Sequence, residues 1–116
     1  MTFLITLNDG PYGSERSYNG LRLAGSLMKR PGLGVRVFLA GDAASCAKNG
    51  QKVPNGYYNI QTMLMAVIRQ GGEVGVCGTC MDARGIAEGE LVEGARRSSL
   101  EEWTTWTAES DQTLVF

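Results

Sequence analysis

The chain has 116 residues, 43% of them hydrophobic, with 11 Lys and Arg against 12 Asp and Glu and no histidine. That length supplies one compact core and is short for two, so a single domain spanning residues 1–116 is expected. A formal charge of -1 leaves no field to draw the protein toward nucleic acid or an anionic membrane, and the doublet Arg96-Arg97 reads as solvated surface.

The N-terminal "MTFLITLNDG" has no positive leader, and its apolar run ends at Leu7, so no signal peptide is expected. No stretch approaches the roughly 18 apolar residues of a membrane span, which points to a soluble cytoplasmic protein. Thr2 to Leu7, closed by the turn-forming "NDGPYGS", reads as a strand buried on both faces. Tyr18, Leu21, Ala24, Leu27 and Met28 then recur at three- and four-residue steps. They predict a helix, capped by Ser14 or Ser17, that runs to about Lys29 and stops at Pro31-Gly32.

Gly34 to Ala40 predicts a second buried strand, followed by the polar connection "GDAASCAKNGQKVPNGY", a length that compact domains seldom carry without purpose. Ile60, Met63, Leu64, Val67 and Ile68 predict an amphipathic helix ended by Gly71-Gly72. Glu73 to Cys77 predicts a third strand. Ser99-Leu100-Glu101-Glu102 fits a capping box ahead of a last helix carrying Leu100, Trp103 and Trp106 or Thr107 on one face. The closing "TLVF" predicts the next strand. Strands alternating with helices give an α/β fold, with right-handed crossovers and a mostly parallel sheet of four to five strands covered on both sides.

In such a sheet the loops after the strands emerge at one edge, where ligands bind near the point of strand-order reversal. Asn8 to Ser14, Gly41 to Pro54 and Cys77 to Gly85 therefore converge, and all three cysteines lie in them. An odd number of cysteines in a chain of this size indicates reduced thiols rather than a disulfide scaffold. A helical turn starting within "GTCMDARG" would favour a Cys77 thiolate, with Arg84 adding to the effect. A strand-end cysteine also serves simply as a small buried hydrophobe, and Cys46 reads as an incidental loop cysteine. Asn8 and Asp42, at strand exits, are candidate ligand-binding residues, although both types also favour turns for local reasons.

Cys77-Gly78-Thr79-Cys80 is open to three chemistries. Structural zinc needs about four ligands, and only Cys46 accompanies the pair. A thioredoxin-type site has a proline facing the motif from a later loop, whereas Pro11, Pro31 and Pro54 all precede it. Sulfur transfer needs one activated thiolate, with the second thiol discharging or protecting the first. Glycine spacing matches neither a dinucleotide fingerprint nor a P-loop, so no cofactor is expected.

The segments "NDGPYGSERSYNGLRLA", "FLAGDAASCAKNGQKVPNGYYNIQTML" and "VGVCGTCMDARGI", in this order and spacing, resemble the DsrE/DsrF-like superfamily and, within it, the YchN-like branch. The resemblance implies a three-layer flavodoxin-like or Rossmann-like domain and a cytoplasmic homotrimer or homohexamer. It also implies a sulfur carrier or transferase of a sulfur relay that accepts sulfur on Cys77 from a donor protein, with Cys80 following from the branch's own C-x-x-C. Trp103, Trp106, Tyr57, Tyr58, Met63 and Met65 suit either subunit contacts or completion of the core. The competing expectations are a non-catalytic oligomeric module that binds a small ligand or partner at the same edge, and a metal-dependent protein.

Overall fold

The computed structural model describes residues 1–116. In chain order it contains β1 (Thr2–Leu7), α1 (Arg16–Leu27), β2 (Gly34–Leu39), a 3-10 segment (Gly41–Ala47), α2 (Ile60–Arg69), β3 (Glu73–Cys77), α3 (Gly78–Ala83), a 3-10 turn (Glu88–Glu90), β4 (Ala95–Ser98), α4 (Leu100–Glu109) and β5 (Gln112–Val115). All five strands are parallel, in the order β4-β3-β2-β1-β5.

The order explains the layers. From β1 to β4 the chain steps in one direction across the sheet, and the β4-to-β5 connection steps back past three strands. Right-handed crossovers taken in opposite directions place their helices on opposite faces. Accordingly α1, α2 and α3 share one face, where Leu21, Ala24, Leu64, Val67 and Met81 pack with Ile5, Val37 and Val76 in a cluster of 20 buried residues. α4 alone covers the other, where Trp106 joins Leu4, Phe38 and Ala40 in a cluster of four. Gly75 makes room for α4: a Cβ there would lie 3.2 Å from the Trp106 ring.

Three local readings change. β4, "ARRS", was not expected as a strand. It is short, charged and at the sheet edge, and so lacks the apolar run that marks a central strand. The connection after β2 is not a polar loop at its start, because Ala43, Ala44, Cys46 and Ala47 are fully buried from the 3-10 segment. Neither serine caps α1 from the N-cap position, which is Glu15. Ser17 is buried and its hydroxyl donates to the Asp9 carbonyl at 2.7 Å, while the Ser14 hydroxyl donates to the Asp9 carboxylate and its Oγ accepts the Arg16 N–H at 3.4 Å. The α4 capping box is half formed: Ser99 Oγ accepts the Glu102 N–H at 3.2 Å, but the Glu102 carboxylate turns to Ser98 and Arg96.

Most of the large side chains weighed as subunit contacts complete the core. Trp106 is buried, Trp103 stacks on Phe38 at 4.5 Å, Tyr58 stacks on Tyr18 at 4.2 Å, and Met63 and Met65 pack on the large cluster. Tyr57 is left exposed. No helix is long and apolar enough to cross a membrane.

Candidate functional site: the cysteine pair at the end of β3

β3 ends on Cys77, and Gly78 begins α3 without an intervening loop. Strand alternation places Cys77 on the α4 side, against Trp103 and the four-residue cluster, whereas Cys80, one helical turn later, packs against the large cluster. The two thiols of one motif thus belong to opposite layers.

Their electrostatics differ in the same way. Cys77 Sγ receives the Cys80 N–H at 3.4 Å and lies 3.4 Å from the Thr79 hydroxyl. Partial burial opposes ionisation, but the Cys80 thiol, the Thr79 hydroxyl and the N–H groups of both residues outweigh it, leaving the Cys77 thiol below its ordinary value. Cys80 is pushed up by partial burial and by the neighbouring Cys77 sulfur. The Gly41 N–H, which donates to Cys80 Sγ at 3.1 Å, and the Arg84 charge only partly offset this. Cys77 is therefore the first of the pair to become a nucleophile as pH rises.

Each cysteine has its own arginine, and each arginine is held by an aspartate. Arg84 donates from Nε and Nη2 to Asp42 Oδ1, at 3.0 and 2.8 Å, and from Nη1 to the Cys80 carbonyl at 3.1 Å. Its charge acts on Cys80, not on Cys77 as the sequence suggested. The arginine beside Cys77 is Arg97, at the end of β4, gripped by both Asp82 oxygens at 2.8 and 2.9 Å. Gly78 admits it, since a Cβ there would lie 2.8 Å from the guanidinium carbon. Sequence reasoning missed Arg97 because β4 was missed. The usable signal was "RRSS" directly before a capping box, the strand-to-helix exit where functional side chains collect.

The other candidates lie apart. Asn8 directly follows β1, two strands from Cys77 and beside β5, where strand order reverses. Its side chain donates to the Phe116 carbonyl at 3.3 Å. Cys46 is fully buried, with its thiol 3.6 Å from the Asp9 carbonyl, and burial pushes it up to about 12, a packed thiol rather than a reactive one. Nowhere do three Cys, Asp or Glu side chains converge as metal ligands would.

Cys77 opens into a cleft of about 550 Å³ between α3, the end of β4 and the start of α4, lined also by Phe38, Thr79, Arg97, Ser98, Leu100 and Trp103. Against known proteins, the whole chain, residues 1–116, matches the DsrE/DsrF-like family. The chain belongs to the DsrE/DsrF-like family. Within it the protein is YchN-like: it is 41% identical over 114 residues to Protein YchN of Escherichia coli (strain K12), covering 97% of both chains. It is 34% identical over 116 residues to an uncharacterized protein of Methanocaldococcus jannaschii, covering both in full. The crystal structure of the E. coli ychN protein superimposes with a TM-score of 0.93 at 40% identity, over 99% of this chain and 98% of that one. A protein of unknown function from Methanobacterium thermoautotrophicum, at 12% identity and a TM-score of 0.81 over 99% and 98% of the two chains, shares the DsrE/DsrF-like fold alone.

Proposed function

We propose that this protein handles sulfane sulfur, taking it onto Cys77 as a persulfide and passing it on. The observation that carries the reading is a strand-end thiol at the mouth of a cleft, met by N–H and hydroxyl donors that lower its pKa. The Cys77 thiolate attacks the outer sulfur of a donor R–S–SH, the donor's S–S bond breaks, R–S⁻ leaves, and Cys77 carries –S–SH. Transfer to an acceptor thiolate repeats the exchange and regenerates the thiolate. Alternatively the Cys80 thiolate, oriented by the Gly41 N–H, attacks Cys77 Sγ. That releases HS⁻ and leaves a Cys77–Cys80 disulfide for an external dithiol to reduce.

Intact mass under non-reducing conditions, after incubation with inorganic polysulfide, tests this. The wild type should gain one sulfur atom or more, and Cys77→Ser should gain none. An unmodified wild type, or an equal gain on the variant, removes the reading. Self-association as a trimer or hexamer belongs to the same proposal, supported by the exposed apolar side chains of Tyr57 and Val115, 70% and 66% accessible. Sedimentation velocity checks it, and a single species of monomer mass would end it.

A further inference from the structure

Cys77, Gly78 and Thr79 line the cleft, and Cys80 does not. Cys80 is half-buried and packs with the large cluster, on the side of the sheet that carries α1, α2 and the 3-10 segment. There its Sγ accepts the Gly41 N–H at 3.1 Å, next to the exposed ion pair of Arg84 and Asp42. Gly41 opens the 3-10 segment at a φ of +55°, in the left-handed region that glycine enters at no steric cost. An N–H aimed at sulfur is strongest when the sulfur is charged, so this contact supports Cys80 as an attacking thiolate. The two thiols are also neighbours: the Cys80 N–H donates to Cys77 Sγ at 3.4 Å, and each side chain acts on the ionisation of the other.

We propose that Cys80 is the second station of an internal relay, in which sulfur enters on Cys77 from the cleft, passes to Cys80, and leaves for an acceptor thiol beside Arg84 and Asp42. This rests on Cys77 as the first sulfur acceptor. In the transfer the Cys80 thiol gives its proton to the outer sulfur of the Cys77 persulfide anion, and the resulting thiolate attacks that same sulfur. The S–S bond breaks, its electron pair stays on Cys77 as a thiolate, and Cys80 carries –S–SH, with no oxidant or reductant consumed. The Cys80 N–H and the Thr79 hydroxyl, which favour ionised Cys77, make it the better leaving group. Cys80 is the less acidic thiol of the two, so the exchange runs toward sulfur on Cys80. Donor and acceptor then meet the protein on different sides of the sheet, and neither has to leave before the other binds.

The whole chain is loaded with less than one equivalent of glutathione persulfide, unfolded into excess iodoacetamide to block every thiol and persulfide, and cut with trypsin. Both cysteines fall in the one peptide from Gln70 to Arg84, and tandem mass spectrometry that breaks its backbone between them assigns the added sulfur. In the wild type more than half of that sulfur should be on Cys80. Cys80→Ser should keep all of it on Cys77, and Cys77→Ser should carry none, because the donor reaches Cys80 only through Cys77. A larger share on Cys77 in the wild type overturns the relay, and so does release of sulfide with a Cys77–Cys80 disulfide left behind, which means attack on the inner sulfur. Sulfur on Cys80 of Cys77→Ser, or a wild type that takes up none, overturns the carrier reading as well, so the two failures are told apart.

Discussion

The two faces of the sheet are built to different standards. One carries three helices, a 3-10 segment and 20 buried residues, and the other a single helix and a cluster of four. The difference follows from handed crossovers applied to a chain that reverses direction once. It also assigns tasks, because the crowded face supplies stability and the sparsely covered one leaves the reactive sulfur in reach. Cys77 looks toward the sparse face and Cys80 toward the crowded one, so a spacing of three residues straddles both regimes.

Removing mass from the crowded face should have the largest effect. Leu64 is fully buried, and Leu64→Ala should cost about 3 kcal/mol, read as a lower urea midpoint at unchanged slope, with Cys77 alkylation unaffected. A loss below about 1 kcal/mol would mean that this face is looser than its packing implies.

The same face should fail in alkali. Cys46, raised to about 12 by burial, keeps its proton in the folded state over a range in which the unfolded thiol, near its ordinary value, has lost it. The native state then binds more protons, so stability falls as pH rises from about 9 to about 12, by at most roughly 1.4 kcal/mol per pH unit. Chemical denaturation across that range should show the decline, and Cys46→Ala should flatten it.

On the sparse face the effects are smaller and kinetic. Cys77 lies below its ordinary value, so its alkylation rate should rise with pH through a midpoint below that of an ordinary free thiol and fall as pH drops through that midpoint. Arg97→Gln should slow alkylation near pH 7 by about two- to fivefold, the weight of an exposed charge pair. Gly78→Ala should act in the same direction, because its Cβ would press on both the guanidinium and the Ser98 carbonyl, at 2.8 and 2.9 Å, whereas Arg84→Gln should leave the Cys77 profile nearly alone. Equal effects from both arginines would erase the distinction between the two sides of the motif.

The sequence made the apolar elements plain and the charged ones obscure. β1, β2 and β3 are mostly apolar, with Arg36 and Glu73 the charged residues among them, and the spacing in α2 recurs over its whole length, so hydrophobic pattern defined them. β4 holds two arginines in four residues. Its pairing with β3 rests on backbone hydrogen bonds and on Arg97 finding Asp82, neither of which leaves a periodic trace. The strand-exit rule placed Cys77 and Cys80 together at the end of β3, where the structure has them, but it could not tell which arginine would stand beside which sulfur. Arg84 is near Cys77 in sequence, yet one helical turn carries it to the Cys80 side. Asn8 shows how a polar residue at a strand exit can serve the neighbouring backbone, since its side chain donates to the Phe116 carbonyl.

Asp82 and Arg84 stand two apart, yet one reaches β4 and the other the segment after β2. The short helix bearing the cysteines is therefore braced from both flanks like a rung between two rails. Under the proposed sulfur exchange, the two braces pre-set the orientation in which Cys77 meets a reagent entering the cleft.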